Sequence, residues 1–214
     1  MSTAIVIGAT GLVGKCLVQQ LLSDPAYSSV VALTRRATGL RADKYREHVV
    51  EFGRPDTYAE RLRGDVLFSA MGTTRAQAGS IEAQRTVDYG YQLEVAKLAA
   101  QQGVKTYVLV SSRGASPSSR VAYMKMKGEL ERDVQGLGFS ALQILRPGPI
   151  VGARDKPRLG EAVAEKVLGA FNALGLLKSF RPISGDQLAR AMRRAATLSG
   201  KRTHEPLELF SLAE

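Results

Sequence analysis

Tyr123 and Lys127 stand four residues apart, and no other Tyr-x-x-x-Lys occurs although the chain holds 7 tyrosines. Residues at i and i+4 share one helix face. If that face lines a cleft, the ammonium of Lys127 favours the phenolate of Tyr123, and Tyr123 can give a proton to a carbonyl oxygen as hydride reaches the carbon. Ser111 and Ser112 close the preceding apolar run, and either hydroxyl would orient the same oxygen. A second group lies at the start, where Gly8, Gly11 and Gly14 follow the apolar run AIVI. Gly8 would permit a sharp strand exit, Gly11 a close approach of backbone to a pyrophosphate, and Gly14 tight packing of a helix on a sheet. Ala9, Thr10, Leu12 and Val13 complete this expected nucleotide cradle, whose free N–H groups at the helix start bind an anion.

A third group ends the second apolar run, at Thr34-Arg35-Arg36. An acid here would accept from a free ribose 2′-hydroxyl, whereas a guanidinium pairs with a 2′-phosphate in fork geometry. Arg35 and Arg36 therefore favour NADP(H) over NAD(H). Ala70, Met71, Gly72 and Thr73 follow another apolar run and would let a nicotinamide ribose lie against backbone, held as well by Lys127. Other chemistry finds no support. His48 and His204 have no metal-ligand spacing, Cys16 is the single cysteine, and there is no G-x-S-x-G elbow. Cys16 is expected to face the core from the first helix.

These groups need a scaffold, and the chain supplies one. Apolar runs recur at 4–7, 30–33, 49–50, 66–70, 107–110 and 141–145, as buried parallel strands do. Between them, Leu12, Leu17, Val18, Leu21 and Leu22 make a helical stripe, residues 81–102 a long helix ending at Gly103, and residues 119–135 a third. Alternation of this kind predicts a doubly wound parallel α/β sheet, the Rossmann fold. PLELFSL at 206–212 would add a last strand. Residues 151–183, rich in Gly, Arg and Lys, read as a small C-terminal insertion over the cleft, within a single domain spanning 1–214.

The chain is 214 residues long, 44% hydrophobic and 23% charged, which suits one globular domain. No apolar stretch reaches the 18 or so residues a bilayer span needs, and no basic segment precedes the first apolar run, so a cytoplasmic protein is expected. The formal charge is +10. Charge of that sign helps to hold a phosphorylated ligand, and alone it does not argue for nucleic acid. Arg190, Arg193, Arg194, Lys201 and Arg202 form the densest basic group, expected to be a solvated helix face.

Taken together, GATGLVG, SS, YMKMK and LRPGPIVG resemble the short-chain dehydrogenase/reductase superfamily in its atypical or extended branch, over nearly the whole chain. More narrowly, MGTTRAQAGS, VDYGYQLEVAKLA and SSRGASPSSRVAYMKMKGELE resemble the oxidoreductase subgroup that includes animal Tat-interacting-protein homologues. The resemblance implies a Rossmann fold binding NADP(H), Tyr123 as proton donor with Lys127 as its partner, and Pro147, Gly148 and Ile150 against the nicotinamide end. It also implies a homodimer as a common arrangement. Two departures stand out. The superfamily's relay often uses an asparagine on the long helix, yet the only asparagine here is Asn172, leaving Asp88 or a water as replacement. The C-terminal substrate region is also short. Two readings follow: an NADP(H)-dependent reductase of a small carbonyl or quinone-like substrate, or a cofactor-loaded regulatory module that acts through a protein partner with little turnover.

Overall fold

The computed structural model describes residues 1–152 and 181–214, so most of the expected 151–183 insertion, with Asn172, lies outside the described residues. The expected alternation is present: β1 (Ser2–Ile7), α1 (Leu12–Ser23), β2 (Tyr27–Thr34), β3 (Tyr45–Val49) and β4 (Val66–Ser69) occupy the first half. The long helical stretch follows, then β5 (Thr106–Val110), α5 (Ala122–Val134), β6 (Ala141–Leu145) and a short β7 (Ile150–Val151). After the undescribed stretch come β8 (Ile183–Ser184), α6 (Gly185–Ala195), β9 (Gly200–His204) and α7 (Pro206–Leu212). Seven strands form one parallel sheet in the order β3-β2-β1-β4-β5-β6-β9, and β7 pairs with β8 apart from it.

Strand alternation decides which face each side chain joins. Ala4 and Val6 of β1 pack with Leu17 and Leu21 of α1, Leu188 and Met192 of α6, and Leu209 of α7. Ile5 and Ile7 turn the other way, toward a core containing Leu93, Val95 and Ala96 of the long helical region and Leu130 and Val134 of α5. Helices therefore cover both faces, and every strand of the middle is apolar on both sides. Because β2 and β4 flank β1 on opposite sides, the chain direction of the winding reverses there. That reversal opens a crevice at the carboxyl ends of β1 and β4, the place where a doubly wound sheet holds ligands.

Several elements depart from the sequence expectation. PLELFSL is α7 rather than a strand: Pro206 sits at its first turn, and Glu205 and Glu208 form a reciprocal capping box, which outweighs its apolar pattern. The last strand is instead Gly200–His204, so Lys201 and Arg202 lie on β9 and not on a helix face with Arg190. Of the basic group, Arg190 pairs with Asp186, Arg193 with Asp24, and Arg202 with Glu208. The strand read at 49–50 is Tyr45–Val49. The long helix read at 81–102 is present and runs through α3 (Ile81–Arg85), a π-helical turn over Thr86–Tyr91 and α4 (Gln92–Gln101), with a short α2 (Arg75–Ala78) ahead of it. Cys16 is half-buried on α1, where it packs against the core as expected and also lines the crevice.

The polar join of β6 and β9 carries a pH dependence. His204 is buried and its Nε2 lies 2.8 Å from Gln143 Oε1, while Gln143 Nε2 donates to the Gly200 carbonyl at 2.9 Å. Burial first, and the Arg202 charge second, push the His204 pKa below its ordinary 6.5, with Glu208 pulling weakly upward. His48 is lowered too, mainly by burial. Between the folded and ordinary values the unfolded chain binds more protons, so stability is full above 6.5 and declines as the pH falls below it. Thermal unfolding followed by circular dichroism is expected to give a lower midpoint at about pH 5.5 than at about pH 7.5, with a shallower fall in His204→Gln. An unchanged slope in that variant would contradict the assignment.

Candidate active site

β1 stops because Gly8 turns the chain at φ +81, and a side chain there would meet the Ala70 carbonyl carbon and Met71 nitrogen at 2.5 Å. Gly14 is equally constrained: an added Cβ would lie 2.0 Å from the Gly8 carbonyl oxygen. The exit of β1, the loop after β4 and the first turn of α1 thus meet with no room for side chains, as the spacing predicted. Gly11 is the N-cap of α1, and it offers no side-chain cap, nor does the first turn carry an acid. The N–H groups of that turn, and the positive end of the helix, are left for something else.

What they border is a cavity of about 960 Å³ at the crevice. Its walls include Gly8, Ala9, Thr10, Gly11, Leu12 and Val13 from the turn, and Arg35 and Arg36 from the end of β2. The loop after β4 contributes Ala70, Met71, Gly72 and Thr73; Ser111, Tyr123, Lys127 and Ile150 close the far side. Gly14, Ser112, Pro147 and Gly148 are not among the lining residues. Gly14 serves packing, as expected, whereas the other three stand behind the wall. The sequence reading missed Lys15, Cys16 and Gln19 on α1, Phe52 beyond β3, and Thr74, Arg75, Gln77, Gln84, Val87 and Tyr91, all of which line the cavity. Gln84, Val87 and Tyr91 recur at near-helical spacing, a signal that was available. Burial raises the pKa of the Cys16 thiol, with Asp186 adding to the effect, so it stays protonated.

Beneath Tyr123 lies the strongest electrostatic feature of the site. Lys127 is buried on α5, and its Nζ is 3.3 Å from Asp88 Oδ1, with side-chain exposures of 3% and 1%. Asp88 sits in the π-helical turn and its Oδ2 accepts the backbone N–H of Thr73 at 2.9 Å. One carboxylate therefore fixes both the Lys127 ammonium and the loop after β4. Gln84 Nε2 donates to the Thr73 carbonyl at 3.3 Å and Gln92 Nε2 to the Asp88 carbonyl at 2.9 Å, while Ser69 donates to Gln92 Oε1 at 2.7 Å. Gln84, Asp88 and Gln92, four residues apart, form a buried polar seam that ties this helix to β4.

The serines do not stand as the sequence suggested. Ser111 is buried and its hydroxyl donates to Glu131 Oε1 at 2.5 Å. Glu131 also accepts from Arg146 at 3.0 Å and 2.5 Å, and Arg146 reaches Glu205 at 2.9 Å. These acids hold the Arg146 pKa above its ordinary range, the Glu131 hydrogen bond being the largest cause. The Ser111 hydroxyl is thus engaged in a bond joining β5, α5 and β6. Ser112 is half-buried, and its hydroxyl faces the Arg113 carbonyl at 3.5 Å.

Comparison with known proteins adds context. The HIM1 family model matches residues 61–179. Protein fmp52, mitochondrial, of Aspergillus fumigatus is 40% identical over 199 residues, covering 89% of this chain and 85% of its own. Protein FMP52, mitochondrial, of Saccharomyces cerevisiae is 42% identical over 153 residues, covering 70% and 66%. Among solved structures, the UDP-N-acetylglucosamine 4-epimerase of Methanobrevibacter ruminantium superposes with a TM-score of 0.72 at 16% identity, covering 98% of this chain and 80% of its own. The UDP-glucose 4-epimerase of Thermus thermophilus gives 0.67 at 19% identity, covering 99% and 82%. Such structural likeness establishes the shared Rossmann-type fold. The names of the sequence relatives overturn the cytoplasmic expectation, since those proteins are called mitochondrial. The apolar opening is β1, a strand of the core.

Removing one partner of the buried pair should be costly. Asp88→Ala leaves Lys127 charged, buried and alone, and is expected to lower unfolding free energy by about 3–5 kcal/mol. Adding Lys127→Met to it should restore much of that loss, because an apolar pair of similar volume avoids desolvating a charge. Urea unfolding of the two variants checks this; equal losses would mean that the pair is not coupled.

Proposed function

The chain belongs to the HIM1 family, and on that premise we propose that it is a nicotinamide-dinucleotide-dependent oxidoreductase of the short-chain dehydrogenase/reductase type that reduces a small carbonyl or quinone-like substrate. One observation carries this reading: the glycine turn, Arg35 and Arg36, Tyr123 and Lys127 all line a single cavity. The chemistry of its walls fits the cofactor. Uncapped N–H groups of α1 are suited to a pyrophosphate, and Arg35 and Arg36, exposed beside the end of β2, to a ribose 2′-phosphate. NADP(H) is therefore the preferred form. For a nicotinamide dinucleotide in general, without bearing on the 2′-phosphate, support comes from fold neighbours such as MoeE5 with UDP-glucose and NAD, at a TM-score of 0.71. Motifs such as MGTTRAQAGS and YMKMKGELE favour the Tat-interacting-protein-like subgroup within the superfamily.

When bound, the cofactor supplies hydride to the carbonyl carbon. Tyr123 gives its hydroxyl proton to the carbonyl oxygen, and the Lys127 ammonium favours the phenolate that remains. Asp88 holds Lys127 in place and takes the position left by the missing relay asparagine, since it lies on the same long helical stretch. A cation fixed by a buried carboxylate need not be reorganised as charge develops on Tyr123.

A second reading is favoured by Ser111, whose hydroxyl is committed to Glu131 and leaves the substrate oxygen with one donor fewer. On that reading the chain is a cofactor-loaded regulatory module acting through a protein partner. Calorimetric titration with NADPH and NADH, followed by a carbonyl and quinone panel at the reduced-cofactor absorbance, separates the two. Turnover reduced about 100-fold or more in Tyr123→Phe establishes the reductase; tight binding without turnover across the panel supports the module. In Arg35→Ala, NADPH affinity is expected to fall by about 10-fold or more, with NADH within about 2-fold of the parent. Equal losses would refute the 2′-phosphate assignment.

A further inference from the structure

The cavity walls include five cationic side chains, Lys15, Arg35, Arg36, Arg75 and Lys127, and among the described residues that line it there is no Asp or Glu. Three of these lie at the α1 and β2 end, beside the glycine turn, where the phosphates of a dinucleotide would sit. Lys127 is neutralised by Asp88. Arg75 remains.

Arg75 follows β4, and β1 stands between that strand and β2, whose end carries Arg35 and Arg36. It therefore stands on the half of the crevice that holds Tyr123. Its backbone is well fixed: Thr73, two residues before it, donates to Asp88, which also contacts Lys127, and the Thr74 hydroxyl accepts the Gln77 N–H at 3.2 Å. The side chain is exposed and enters no salt bridge within the described residues. Glu82 is fully exposed and feels the Arg75 charge as the weakest influence on its carboxyl, so this acid does not neutralise it. A guanidinium on a rigid loop is a built receptor for a carboxylate or phosphate, which it can bind in fork geometry.

We infer that Arg75 selects the substrate, and that the carbonyl compound reduced here carries an anionic group which Arg75 binds while Tyr123 faces the carbonyl. This inference rests on the oxidoreductase reading above. Gln77, which lines the same stretch of wall, has its amide N–H groups on hand for such a group, while Thr73 and Gln84 donate within the wall and keep it in shape.

The test compares 4-carboxybenzaldehyde with 4-methylbenzaldehyde, similar in shape and different in charge, using the protein as purified, Arg75→Gln and Arg75→Lys. NADPH binding is measured first in each. Calorimetry of the NADP-loaded protein with 4-carboxybenzyl alcohol supplies a second readout that needs no turnover. The parent is expected to bind that alcohol, and to prefer the carboxylated aldehyde in kcat/KM, by about 10-fold or more over the methyl analogues. Arg75→Gln should bring the preference to within about 2-fold of unity while Arg75→Lys keeps part of it. No NADPH binding by the parent overturns the cofactor reading and this inference with it. NADPH binding without any anion preference, or a preference that survives in Arg75→Gln, overturns the inference alone. A loss of NADPH affinity in Arg75→Gln as large as that in Arg35→Ala would assign Arg75 to the nucleotide and likewise overturn it.

Discussion

A buried ammonium and a buried carboxylate 3.3 Å apart, Lys127 and Asp88, hold the working end of this molecule together. Neither group is tolerable there without the other, since an isolated charge in the interior carries a large desolvation cost. Their contact therefore forces α5, the π-helical turn and, through Thr73, the loop after β4 to keep one arrangement. The turn is where a regular helix gives way, and helical irregularities of this type often accompany functional positions. Here it places a carboxylate beneath the cleft, while Val87 and Tyr91 of the same turn face the cavity.

A steric constraint does for the other half of the crevice what that ion pair does for this one. Gly8 and Gly14 bring the end of β1, the start of α1 and the loop after β4 to distances at which no Cβ fits. The outcome is a wall of backbone, with its N–H groups available and no side-chain charge in the way. Cations then flank the wall. The cavity is consequently biased toward anionic ligands at its α1 and β2 end, and the loop after β4 belongs to both halves, since it abuts Gly8 at one end and Asp88 at the other.

The second polar system, Ser111-Glu131-Arg146-Glu205, shows how a residue with catalytic chemistry becomes structural. Glu131 lies four residues beyond Lys127 on α5 and is buried, so its carboxylate needs donors. Arg146 and Ser111 provide them. Arg146, at the end of β6, carries the connection on to Glu205, the cap of α7. One of the two hydroxyls that the sequence offers to a substrate, that of Ser111, is held by this demand.

Sequence determined a great deal here because the chemistry of the fold is written in local terms. Gly8, Gly11 and Gly14 announce a strand, a tight turn and a helix; six apolar runs announce a parallel sheet; Tyr123 and Lys127 share a helix face whatever surrounds them. Local pattern could not decide PLELFSL, whose apolar spacing fits strand or helix until Pro206 and the Glu205–Glu208 box act at its start. Nor could it show that residues 86–91 wind as a π-helical turn within the helix, since the partner Asp88 meets there, Lys127, comes from across the fold. Ser111, Cys16 and Arg75 teach the same point. Residue type says which interactions each side chain is able to make; only the tertiary structure decides that Glu131 takes Ser111, that Cys16 faces the crevice, and that Arg75 is left exposed there, because those choices are made by neighbours distant in sequence.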